Sequence, residues 1–198
     1  DVKTLFKRIG KELTTAVLQM RYIAENLCLP QPAELKLETS GMFRKSAKTG
    51  QDPRMLMTWK LLAELKAKEQ KVEQPFSPER RNEVTGALAR ALHDNRSTVH
   101  TVKELLAAEG IAFCIEEKVD KASVDGYSFI EDGTPHIILT RRYDRIDNFA
   151  FALMHEVGHI YLHYLDGRRS DCKLSIPDYD NESAEEKEAN AFAANALI

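Results

Sequence analysis

Cysteine is scarce in this chain: three in 198 residues, at Cys28, Cys114 and Cys172, far apart and never in a CxxC pair. A disulfide framework is thereby excluded, and a reducing cytoplasm is the expected setting. Long apolar runs are missing too. Nothing approaches the ~20 residues of a membrane span, and the first residues carry no signal-peptide pattern. Strong charge of either sign is absent, and a net charge of −3 gives no reason to expect nucleic-acid binding by the whole chain. Neither an internal repeat nor a low-complexity tract is found. What is there is an ordinary globular composition, 43% hydrophobic and 30% charged, long enough for one large domain or one domain with a helical annex. The chain starts at Asp1 and stops at Ile198 inside a helical pattern, so a piece of a longer protein is expected.

Apolar spacing predicts a helix over 3–29 (Leu5, Ile9, Leu13, Val17, Met20, Ile23, Leu27), closed by Pro30 and Pro32. A polar connection, ETSGMFRKSAKTGQDPRM, leads to a helix in MLMTWKLLAELKAKEQKVEQ, with Trp59, Leu62 and Leu65 on one face and a Glu64–Lys68 pair. Ser77 is placed to cap the next helix at Pro78, and Gly110 to end the one after that. The texture then changes. IAFCIEE reads as a strand, and GYSFI and TPHIILT as a hairpin turning at Asp132-Gly133. Asp147 is a candidate cap for a helix that Gly167 closes; a polar loop over 168–182 and a last helix capped by Ser183 follow. The expected architecture is α+β: a helical linker or annex over 1–105, then a unit over 106–198 with a small β-sheet.

In NFAFALMHEVGHIYLH, His155 and His159 stand one helical turn apart on the same face, close enough for both imidazoles to reach one ion. Glu156 lies on the adjacent flank, where a carboxylate can act as base on a water without ligating the metal. A chance HExxH is the bland alternative. Against it stand the helical context, the apolar flanks Phe151, Leu153, Val157 and Ile160, and Gly158, which leaves room for a close approach.

The third ligand separates the subclasses. A metzincin needs glycine at 162 and histidine at 165; this chain has Leu162 and Leu165. A carboxylate from a second helix remains, and EEKEANAF offers Glu185, Glu186 and Glu188. Glu186 shares a face with Asn190, Ala193 and Leu197, and Asn190 can then hydrogen-bond a ligating histidine. Glu186 is therefore the expected ligand, with Glu185 and Glu188 on the solvated side. His163 is the rival, expected at the rim, behind the ligands, or without a role. His93, His100 and His136 read as ordinary histidines, and Arg141–Arg145 as a charged connection. Tyr161, His163, Tyr164 and Tyr179 stay open as groups that could stabilise an oxyanion.

GYSFIEDGTPHIILTRRYDRIDNFAFALMHEVGHIYLH followed by EKEANAFAANALI resembles the ImmA/IrrE family of metallopeptidases over roughly 105–198. The helical first half, through FRKSAKTG and VKELLAAEGIAF, is more weakly similar to the region linking such units to an XRE-type helix-turn-helix. The resemblance implies a zincin-like fold, with Zn²⁺ held by His155, His159 and Glu186 and with Glu156 as the catalytic base. It also implies a hydrolase acting on a repressor-type protein in transcription regulation. Asn190 departs from the aspartate frequent in related zincins. DNA would be reached only through a helix-turn-helix that this sequence does not contain. The competing expectation is a sensor or dimerising half of a regulator or antitoxin, with a second copy as partner and little turnover. Along β-strand residues 126–131, an extended substrate could pair edge to edge.

Overall fold

The computed structural model describes residues 2–15, 18–19, 21–23, 52–140, 145–164, 174–175 and 184–198. The expectations for Pro30, Pro32, Gly167, Tyr179 and Ser183, for most of the first connection and for all but residues 174–175 of the loop over 168–182 lie outside them. The first helix, α1, runs only over Val2–Arg8. It ends there because Gly10 takes φ +67° and the Lys11 amide reaches back to the Phe6 carbonyl at 3.2 Å, closing a Schellman turn. The apolar spacing that suggested one helix to residue 29 continues across this break, but the backbone does not.

Helix α2, Pro53–Lys68, starts two residues before the expected position, because Asp52 caps it by accepting from the Arg54 amide at 2.9 Å. It buries Leu56, Trp59 and Leu62. The Glu64–Lys68 pair does not form as expected. Lys68 lies 2.8 Å from Glu131 on the sheet, and Glu64 turns inward, with Lys60 at 3.9 Å. A short 3₁₀ turn at Pro78–Arg80 follows Ser77 and leads into α3, Arg81–Asp94; α4 is Thr98–Ala108. Helix α4 ends in a second Schellman turn: Gly110 has φ +75° and the Ile111 amide bonds the Leu106 carbonyl at 2.9 Å.

Strands β1 (Ala112–Glu116), β2 (Gly126–Glu131), β3 (Thr134–Thr140) and β4 (Leu174–Ser175) form one sheet in the order β1-β3-β2-β4. The β2–β3 hairpin turns at Asp132 and Gly133, both at positive φ (50° and 78°), as a type I′ turn requires. β1 runs parallel to β3, whereas β4 pairs antiparallel with Gly126 and Tyr127 of β2. Helices α5 (Ile146–His159) and α6 (Ala184–Ala196) pack on each other. Asp147 does not cap α5. It lies inside the first turn, bonded to Arg145, which precedes the helix. The architecture is α+β, and no helix of the described residues is long and apolar enough to cross a membrane.

Both faces of the sheet are buried, and the pleat sorts them. Cys114, Tyr127, Phe129 and Ile138 face α1 and α2. Phe113, Ile137 and Leu139 face the opposite way, against α3, α4 and α5. Period two therefore sends Gly126 and Ser128 toward α5, and the alternating aromatics Tyr127 and Phe129 toward α2. This alternation of small and large residues on β2 makes the room in which the candidate site is built.

Candidate metal centre

Helix α5 owes its place to Leu153, Met154 and Val157, which are fully buried against α3 and the sheet. That anchoring turns His155 and His159 toward α6. At Gly158 the helices come close: a Cβ there would sit 3.1 Å from the Phe192 ring. The first turn of α6 then delivers Glu186 between the two imidazoles. His155 Nε2 lies 3.1 Å and His159 Nε2 3.3 Å from the Glu186 carboxylate, and the two nitrogens are 2.9 Å apart. One donor atom from each residue falls within 4.8 Å of the others, and all three side chains are buried. Tetrahedral coordination at about 2.0–2.1 Å separates neighbouring donors by roughly 3.3 Å, so two nitrogens and one carboxylate oxygen spaced like this fit one zinc-sized cation.

Charge and hydrogen bonding prepare the same spot. Burial alone would raise the Glu186 pKa, but His155 and His159 overcome it and hold the carboxyl far below the usual range. Burial likewise works against a charged His155, yet Glu186, Glu156 and Asn190 outweigh it and raise its pKa. The His155 ring is oriented from behind: Nδ1 donates to Asn190 Oδ1 at 3.0 Å, which leaves Nε2 facing inward. Leu197, expected on the inward face of α6 with Asn190, lies past the helix end and is exposed.

Glu156 points elsewhere, into the gap on β2. Its Oε2 accepts from Ser128 Oγ at 2.6 Å, and its Oε1 is buried without a hydrogen-bond partner among the described residues. Gly126 is indispensable here, since a Cβ at that position would stand 2.5 Å from Oε1 and 2.8 Å from Cγ. Ser128 and Gly126 were not singled out in the sequence. Their signal was the small residues at alternate positions of an otherwise aromatic strand, GYSF.

Several expectations change. Of the places expected for His163, it takes the one behind the ligands and not the rim, with its Nδ1 2.9 Å from His159 Nδ1. Beyond His159 the helix widens into a π turn, Ile160–Tyr164, whose smaller rotation per residue keeps His163 beside His159, the rings tilted with centroids 5.1 Å apart, and fully buried. Glu188 is not simply solvated, because its carboxylate lies 3.1 Å from His163 Nε2. Tyr161 packs on Phe76, away from the donors, and its phenol is pushed up to about 12 by burial and by Glu109. Tyr164 donates to the Ser128 carbonyl. With that carbonyl taken and residues 126–127 paired to β4, the first half of the β2 edge is not free for a substrate strand.

An HExxH helix facing a carboxylate from the next helix, beside a small mixed sheet, defines a metallopeptidase-like domain. Residues 109–198 match the family model for the IrrE N-terminal-like domain of peptidase family M78. No curated protein matches the chain, and no solved structure does.

Proposed function

We propose that this domain is a zinc-dependent endopeptidase of the His₂Glu class, acting in the cytoplasm on a regulatory protein of the repressor kind. The observation that carries the reading is the convergence of His155, His159 and Glu186 donors within 4.8 Å of one another, with the buried, half-satisfied Glu156 carboxylate next in sequence. His155, His159 and Glu186 would hold the ion, which when bound supplies Lewis-acid polarisation of the scissile carbonyl and of the attacking water. The protein's own part is proton handling. Glu156 takes a proton from that water and later gives it to the leaving amine. Ser128 restrains Oε2 by its 2.6 Å hydrogen bond, which leaves Oε1 as the atom for this transfer. Asn190 keeps the His155 lone pair turned inward.

A second reading, the non-catalytic sensor or dimerising half of a regulator, is favoured by two observations. Glu156 is wholly buried, and the start of the β2 edge is already occupied. Contact with DNA in that case belongs to a separate helix-turn-helix. Turnover separates the two readings. Full-length protein incubated with candidate repressors, with and without zinc, should cleave one at a defined bond only when zinc is present. Stoichiometric zinc with no cleavage of any repressor selects the regulator reading.

A further inference from the structure

His163 and Glu188 take no part in the convergence of donors, yet the fold spends a fully buried imidazole and a π turn on bringing them together. His159 Nδ1 and His163 Nδ1 are 2.9 Å apart, and His163 Nε2 is 3.1 Å from Glu188 Oε2. An ionised carboxylate can only accept, so the proton on this last contact belongs to His163 Nε2. With His163 taken as a neutral imidazole, which has one N–H, its Nδ1 is then an acceptor. Its neighbour must supply the hydrogen, which fixes a proton on His159 Nδ1. The reverse direction would leave a neutral His159 with its proton on Nε2, facing Glu186, with no lone pair to offer a metal.

We infer that Glu188 and His163 form a positioning relay that sets the tautomer of His159, so that its Nε2 lone pair faces His155 and Glu186. The inference rests on the metal-site reading above. The relay parallels Asn190 on His155: each histidine of the pair is oriented through Nδ1, one from α6 directly and the other through the π turn. Partners of this kind set ring orientation and basicity, and their loss typically costs about 10–100-fold in metal affinity.

The test uses zinc alone, titrated against a chromophoric chelator into the full chain, with imidazole ¹⁵N spectra recorded on the metal-free protein. In the wild type, His163 should be protonated at Nε2 and bare at Nδ1, with a proton on His159 Nδ1. His163→Leu should weaken zinc binding about 10–100-fold. His163→Gln, whose amide oxygen can still accept from His159, should recover most of that loss. Glu188→Ala alters a half-exposed side chain and keeps the test alive if the buried variants do not fold. It should mix the His163 tautomers and lower zinc affinity several-fold. A proton on His163 Nδ1 in the wild type, or wild-type zinc affinity in folded His163→Leu or in Glu188→Ala, overturns the relay. A wild type that binds no zinc instead removes the metallopeptidase reading, while the spectra of the metal-free protein still decide the relay.

Discussion

Strand β2 holds a buried glutamate on each of its faces, one residue apart. Toward α2, the Tyr127 hydroxyl donates to Glu64 at 2.9 Å; toward α5, the Ser128 hydroxyl donates to Glu156 at 2.6 Å. Each carboxylate also keeps one buried oxygen without a hydrogen bond among the described residues. Such an oxygen is therefore no mark of chemistry by itself. The surroundings differ. Glu64 has the Lys60 ammonium 3.9 Å away and lies among Trp59, Tyr127 and the α2 core, where burial raises its pKa. Glu156 has small residues, Gly126 and Ser128, in front of it and two imidazoles on its own helix. A carboxylate matched to a fixed cation and walled by aromatics serves the fold. One set next to the proposed metal ligands, with space cleared by a glycine, has the surroundings the proposed proton transfer needs.

The contrast can be broken experimentally, and the largest effect is expected at Glu156. Glu156→Gln should retain zinc while cleavage falls by about 10²–10⁴-fold, the range for a general base. Loss of zinc in that variant would put Glu156 among the ligands and erase the difference in roles. Next comes Glu186→Ala, expected to weaken zinc binding by more than the roughly 100-fold that outer partners reach. Glu185→Ala, on a neighbouring azimuth, should titrate like the wild type. A structural lesion on each face sharpens the comparison further. Gly126→Ala forces a Cβ to within 2.5 Å of Glu156 Oε1 and should cost about 1–3 kcal/mol by overpacking, together with most of the activity. Tyr127→Phe strips the hydrogen bond from Glu64 and should cost about 1–3 kcal/mol in denaturant unfolding, with zinc affinity unchanged. If the two variants affect zinc and activity alike, the faces are not separable.

The smallest effect is a pH dependence confined to the α2 face. His136 stacks on Phe129 with ring centroids 4.7 Å apart, and burial lowers its pKa. A histidine depressed in the folded state binds its proton more readily when unfolded. Its contribution to stability is complete above about pH 6.5 and is lost as pH falls through the lowered folded value. His136→Phe should therefore flatten the decline in Tm below pH 6.5 while leaving zinc affinity at neutral pH alone. An unchanged acid limb in this variant would show that the decline originates elsewhere.

Much of this was legible because it is local. Asp132-Gly133 supplies the two positive φ angles of a hairpin turn, and Gly110 a helix stop; both depend on residues within a few positions. The four-residue spacing of His155 and His159, and the phase that sets Glu186 apart from Glu185, are properties of one helix each. Gly10 was equally legible as a stop, but continuous apolar spacing masked it. Tertiary structure decided everything that joins distant segments: the parallel pairing of β1 with β3, the short β4 on Gly126 and Tyr127, Lys68 reaching Glu131 rather than Glu64. It also decided which hydroxyl holds Glu156, and that a π turn carries His163 to Glu188. The physical reason is range. Backbone φ preferences and helical phase act within a turn, and the sequence by itself determined the Asp132-Gly133 turn, the Gly110 stop and the shared face of His155 and His159. Contacts across 28 residues, as between Ser128 and Glu156, exist only after two elements have packed, and no local pattern encodes that packing.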